Sequence, residues 1–243
     1  MQKFCLYFLI VFSVIEFARP FALHCQFGVN DLRNLGSVYR CLANNVVASS
    51  GNAVTSVVGT HQTERTHDDV KVLLIQNSHD LRIFPRNVRI FFPNIIGISL
   101  TQTSIKTLNG DELNEYGAQL IWFGIVLSHV VEVPSNFFLH TPNVVNVWFS
   151  NNQIERVGND LLTPLNKNEL KIVDFILNRC INNFAETIPN IVALIDDLRR
   201  LCPLDGGITT TTENSSNFIG NYKNLNILIF LFGIRKFLKS QMF

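Results

Sequence analysis

Little of this sequence is charged. Only 16% of its 243 residues are Asp, Glu, Lys or Arg, and 20 basic side chains nearly balance 19 acidic ones. A net charge of +1 removes the global electrostatic argument for a nucleic-acid partner. Proline and glycine are sparse, at 8 and 13 residues, whereas phenylalanine reaches 20. With 47% hydrophobic residues, that balance excludes wholesale disorder and suits one domain with short appendages. No apolar run reaches the roughly 20 residues of a membrane-spanning helix. There is also no Gly-x-Ser-x-Gly elbow and no glycine-rich phosphate loop.

What the sequence does contain begins with a short apolar run near its start. Lys3 precedes Phe4 to Ile15, which then meets Glu16, Arg19 and Pro20, with small residues at Ala18 and Ala22. A basic residue, a short apolar core and a small-residue exit mark a secretory signal peptide, expected over residues 1–22. Cys5 leaves with it, and Cys25, Cys41, Cys180 and Cys202 remain. An even count in a secreted chain points to disulfides, with three possible connectivities. Two of the four lie at the start of the mature chain and two near the end of its globular part. Local pairing, Cys25 with Cys41 and Cys180 with Cys202, is therefore expected. Paired Cys-x-x-Cys zinc knuckles are absent.

Between the cysteine pairs lies a repeat. Its clearest copy is Val144-x-x-Val147-x-Phe149-x-x-Asn152-x-Ile154-x-x-Val157. The frame recurs from Ile95 (Ile98, Leu100, Thr103, Ile105, Leu108), from Leu120 (Phe123, Ile125, Ser128, Val130, Val133) and from Leu170 (Val173, Phe175, Asn178, Cys180). A weaker copy opens at Val70, with Leu73, Ile75 and Ser78; there Asp80 takes the expected apolar place and Leu81 looks displaced by one. The starts at 70, 95, 120, 144 and 170 are separated by 25, 25, 24 and 26 residues.

These residues resemble the leucine-rich repeat family, whose units run about 20–29 residues with an Asn or small polar residue at the ninth place. The resemblance covers residues 54–180. It implies an α/β solenoid, with a parallel β-sheet on its concave face and disulfide-bonded end caps. Alternating apolar residues such as Val147 and Phe149 fit a short strand with one buried face. Asn152 and Asn178 fit the turn that follows, and Thr103 and Ser128 fill that place less securely. Pro93-Asn94 and Pro142-Asn143 end the segment before a strand.

The flanks then take roles. Residues 23–53 are expected to cap the N-terminal end, with the first strand over Ala53 to Gly59. Residues 181–203 form a helical C-terminal cap, with Ile188, Ile191, Val192, Ile195 and Leu198 at helical spacing after Pro189. Each disulfide, closing a loop of about 15–22 residues, contributes about 3 kcal/mol in the chain-entropy treatment. Residues 204–217 are a Thr/Ser-rich linker carrying Asn214-Ser215-Ser216, the one glycosylation acceptor. Residues 218–243 are a basic apolar tail with a net charge of +3 over 213–243, suited to weak contact with an anionic membrane surface.

Strand alternation supplies the candidate site. If Phe123, Ile125, Val147 and Phe149 point inward, then Trp122, Val126 and Trp148 point outward, as do Leu74, Ile172, Asp174 and Ile176. An exposed apolar patch with two tryptophans suits a protein or peptide partner, or a second copy of this chain, the alternative being that the tail or a loop folds over it. The expected function is thus a non-enzymatic, secreted binding protein without cofactor or metal. The alternatives are a structural matrix component, or a secreted hydrolase built on His61 and His67, which with Glu64 form His-x-x-Glu-x-x-His. That spacing is not the His-Glu-x-x-His that places two imidazoles on one helix face.

Overall fold

The structure is a computed structural model and describes residues 21–48, 51 and 53–204. The body of the expected signal peptide, the linker beyond residue 204 with Asn214, and the tail at 218–243 lie outside the described residues. Phe21 and Ala22, expected at the end of the signal, belong to the first strand.

Eleven strands follow in chain order: β1 (Phe21–Leu32), β2 (Gly36–Asn44), β3 (Val54–Val58), β4 (Val72–Gln76), β5 (Gly97–Thr101), β6 (Trp122–Val126), β7 (Glu132–Val133), β8 (Asn146–Trp148), β9 (Arg156–Val157), β10 (Ile172–Asp174) and β11 (Phe184–Ala185). Among the described residues the two α-helices are α1 (Val88–Phe91) and α2 (Ile188–Leu201). Nine strands form one sheet, in the order β11-β10-β8-β6-β5-β4-β2-β1-β3, and β7 pairs with β9 apart from it. The central six, from β2 to β10, are mutually parallel. The chain is therefore α/β, with a large, mostly parallel sheet and few helices.

The register of that sheet is the sequence frame. Leu73 lies beside Ile98, Ile98 beside Phe123, Phe123 beside Val147, and Val147 beside Val173. A chain that advances one strand per 24–26 residues brings the same frame position alongside itself each time. Those residues face one continuous core with Ile75, Leu100, Ile125, Phe149 and Phe175. Phe123 meets Phe137 and Phe138 edge-on at 5.2 and 5.6 Å, and Phe149 meets Phe175 at 5.1 Å. Aromatic rings of this size fill the space between sheet and connecting segments at low side-chain entropy cost.

Polar side chains fasten one unit to the next. The ninth-place residues accept backbone N–H groups from the preceding unit: Val46 to Ser78 Oγ, Thr103 to Ser128 Oγ, Val130 to Asn152 Oδ1 and Ile154 to Asn178 Oδ1, at 2.9–3.2 Å. Asn152 Nδ2 donates in turn to the carbonyls of Ile125 and Phe149. Thr103 and Ser128, expected to be the less secure turns, bond each other directly at 2.9 Å. A second series sits at the opposite strand ends. Asn94 donates to Asp68 O, Gln119 to Pro93 O, and Asn143 to Ala118 O.

Two expectations are corrected. The first strand of the parallel ladder is β2, where Cys41 lies beside Leu73 and Ala43 beside Ile75. Val38, Cys41, Ala43, Val46 and Ala48 are buried at frame spacing, so a further copy lies within the stretch assigned to the cap. β3 does form near Ala53–Gly59 but flanks β1 at the far edge, with Val54 N–H bonded to Arg86 O. In α2 the buried i, i+3, i+4, i+7 stripe is Ile191, Leu194, Ile195 and Leu198; it keeps three of the five expected residues, gains Leu194, and leaves Ile188 and Val192 exposed. In the weak copy, Leu81 is buried and Asp80 exposed, the displacement by one that the sequence implies. Cys25–Cys41 and Cys180–Cys202 are bonded, as local pairing requires.

Each turn after a strand needs one left-handed residue: Asn77, Gln102, Leu127, Asn151 and Leu177 have φ of 49–56°. Asn tolerates this region and Leu does not. Leu177→Asn is expected to stabilise the chain by about 1 kcal/mol, raising Tm by roughly 2–4 °C. Asn152→Leu, which strands buried N–H and C=O groups, is expected to lower Tm by more than that. Thermal unfolding followed by circular dichroism measures both shifts.

Candidate functional site

Because side chains alternate along each strand, the sheet carries two apolar groups that do not merge. Phe123, Ile125, Val147 and Phe149 belong to the main core. Trp122, Val126 and Trp148 form a second cluster on the outer face with Val72, Leu74 and Ile172. The phase of the alternation is as the sequence implies. The exposure is not.

Trp122 is 5% exposed, Trp148 8%, and Leu74, Val126 and Ile172 no more than 4%. Asp174 is buried and Ile176 half-buried. The expected open patch is covered instead, and the β1–β2 hairpin supplies part of the cover. Leu32 and Val38 are buried in the outer cluster, and Leu35 and Leu42 pack against it. At the tip, Asn34 Nδ2 donates to Asn146 Oδ1 on β8 at 2.7 Å, and Arg33 pairs with Glu186 beyond β11. Asn34 and Gly36 take φ of 65° and 70°, which lets the chain reverse there. From the opposite end Phe184 approaches Trp148, with ring centres 6.5 Å apart. Beside the tip a cleft of about 610 Å³ opens among Asn34, Lys171, Ile172, Glu186 and Ile188.

Small residues seat the indoles. A Cβ on Gly97 would lie 3.3–3.4 Å from Trp122 atoms and 3.1 Å from Val72, so the ring of Trp122 uses space that any larger residue would fill. Three buried polar groups in this region have no hydrogen-bond partner: Trp122 Nε1, Asn146 Nδ2 and both amide atoms of Asn30 on β1. Asp174, the one acid on the face, accepts from Ile176 N–H at 2.9 Å, and burial pushes its carboxyl above the usual range.

His61 and His67 come together, but among aromatic rings. His61 stacks on Phe27 with centroids 3.7 Å apart and meets His67 edge-on at 4.7 Å. The Tyr39 hydroxyl accepts from Gln62 N–H and lies within hydrogen-bond distance, 3.1 Å, of His61 Nδ1. Glu64 is exposed, and Asp69 is engaged by Arg65 and by the Thr66 N–H. Burial, then His67, holds the His61 imidazole below its ordinary pKa, against the pull of Asp69. Among the described residues no group of three or more His, Cys, Asp or Glu could hold a metal ion. This arrangement clamps the base of the hairpin.

No protein-family model matches the chain, and no curated protein matches it. Its reading therefore rests on its own geometry. That geometry adds Asn30, Leu32, Asn34, Leu35 and Val38 to the candidate residues, which the sequence reading left in the cap. The signal for them was present: Asn34-Leu35-Gly36 between two alternating strands is a hairpin turn. A second missed residue is Glu112, 2% exposed, with Asn109 donating to Oε1 and no partner at Oε2. Burial pushes its carboxyl up to about 7.

These two groups give opposite pH responses. The folded pKa of His61 is depressed, so its contribution is present above the unfolded value of 6.5 and is lost as pH falls through the folded value. The folded pKa of Glu112 is raised, so its contribution is present below 4.5 and is lost as pH rises through about 7. Glu112→Gln is expected to stabilise the chain near pH 8, by at most roughly 3 kcal/mol, and to change little near pH 4.5. His61→Gln is expected to flatten the fall in Tm as pH drops below 6.5. Tm measured against pH for the two variants checks both signs.

Proposed function

We propose that this chain is a secreted leucine-rich repeat solenoid that binds a protein or peptide partner on the outer, concave face of its parallel sheet. It acts without catalysis, cofactor or metal. The observation that carries the reading is the second apolar cluster. Six parallel strands in register leave Trp122, Trp148, Val72, Leu74, Val126 and Ile172 grouped on the face turned away from the core. A sheet face open to water would carry polar residues, so this one is built to lie under an apolar cover. Tryptophans supply large contact area at small entropy cost, and buried N–H groups such as Trp122 Nε1 and Asn146 Nδ2 suit carbonyl acceptors on a partner.

Secretion accords with the sequence and with the two disulfides, which persist in oxidising compartments. Among the described residues no helix is long and apolar enough to cross a membrane. The tail at 218–243 adds weak contact with an anionic surface, and Asn214 a glycan.

Ile176, half-buried on the proposed face, and Ile90, 72% exposed on α1, give a paired test. A partner recovered on the wild-type chain from its extracellular fluid is expected to bind Ile176→Arg at least tenfold more weakly and Ile90→Arg unchanged. Loss on Ile90→Arg with retention on Ile176→Arg moves the binding site off this face.

A further inference from the structure

We propose that the tip of the β1–β2 hairpin, residues 29–38, is a releasable strap. It is this chain's own occupant of the outer face, and it gives way to an apolar peptide segment that brings backbone carbonyls to Trp122 and Asn146. The inference rests on the reading that a partner uses this face.

The strap is separable from the sheet. β2 pairs with β4 only from Arg40 to Asn44, and β1 pairs with β3 only from Phe21 to His24. Among the described residues, the backbone hydrogen bonds of 29–38 run within the hairpin itself. A two-stranded ribbon of this length is marginal in water unless it packs on something. Its base is fixed, by the Cys25–Cys41 bond and by the ring contacts of Phe27 and Tyr39 with His61. Its tip is not. Two contacts anchor the far end: the Asn34–Asn146 hydrogen bond and the Arg33–Glu186 pair, whose side chains are 57% and 39% exposed. Ion pairs this open to water contribute little.

The closed position also carries a cost under the strap. Leu32 and Val38 gain burial against the outer cluster. The same closure buries the Asn30 amide, 3% exposed, with neither polar atom bonded, and leaves Trp122 Nε1 and Asn146 Nδ2 unfilled. An unsatisfied buried group offsets about as much as one buried aliphatic side chain contributes. Opening hydrates all three groups, and a partner that supplies carbonyls fills two of them while keeping the apolar contact. The cleft among Asn34, Ile172, Glu186 and Ile188 gives such a segment an entry beside the tip. Closed and open states of similar free energy are the condition under which a ligand shifts a population.

The test is native-state hydrogen exchange on the secreted, full-length chain. Amides of residues 30–38 are expected to exchange at least a hundredfold faster than those of β5 and β6. Asn30→Leu, which removes the unpartnered amide and adds apolar surface under the strap, is expected to slow hairpin exchange at least tenfold and leave β5 and β6 unchanged. Hairpin and central strands exchanging together, or an Asn30→Leu chain whose hairpin exchanges as fast as wild type, overturns the strap. Leu32→Asp, which places a charge under the tip, separates this outcome from the binding reading. Its gain of anilinonaphthalene sulfonate fluorescence with far-UV circular dichroism retained supports a ligand-competent face. Fast hairpin exchange with no dye gain leaves the strap standing and removes the face as the binding site.

Discussion

The buried N–H groups of Val46, Thr103, Val130 and Ile154 each find an acceptor on a side chain in the next unit along the chain. A unit of this ladder therefore cannot complete its own hydrogen bonds, and a buried N–H without a partner costs about 1–3 kcal/mol. The same dependence holds for apolar packing, because one short strand covers only part of its neighbour. Stability in such a stack is a sum of neighbour terms, and its two ends need separate closure. Cys25–Cys41 ties β1 to β2 near one end of the sheet, and Cys180–Cys202 ties the end of α2, which packs on β11, near the other.

The side-chain hydrogen bonds between units join residues 22–32 positions apart, whereas the hairpin tip reaches much farther. Asn34 reaches 112 residues along the chain to Asn146, and Arg33 reaches 153 to Glu186. Contacts of that sequence separation form after the local ones, since loop closure must precede them. The ladder and its cover are accordingly two layers of the structure with different energetics. The ladder is cross-bonded from unit to unit at its turns, and its core is filled with rings. The cover is apolar beneath, polar above, and leaves three polar groups without partners. Gly97 beside Trp122 shows that the face itself is shaped for a large ring, whatever lies over it.

The ladder was legible because its signal is repeated. Leu73, Ile98, Phe123, Val147 and Val173 hold the same frame position and stand side by side in the sheet. Period-two alternation likewise assigned Trp122 and Trp148 to the face opposite the core. The cover was not legible from that frame, because nothing in a strand's alternation states what lies above its outer face. Leu32 and Val38 alternate as in any hairpin, and only the tertiary reach of Asn34 places them over the tryptophans. The copy in β2 was hidden for a related reason. Cys41 and Ala43 stand where larger apolar residues recur elsewhere, and the segment at 49–69 lengthens the spacing to the next copy. Glu112 did not stand out, since burial of a single carboxylate leaves no mark in the sequence around it.

The chain contains two tryptophans, both on the outer face. Their fluorescence therefore reports on that face alone. The most direct measurement is the emission maximum and acrylamide quenching of the native, disulfide-intact protein beside the same chain unfolded in guanidinium. A covered face predicts native emission well to the blue of the unfolded chain and quenching several-fold weaker. Native emission and quenching equal to those of the unfolded chain, with far-UV circular dichroism still showing the folded sheet, would contradict it.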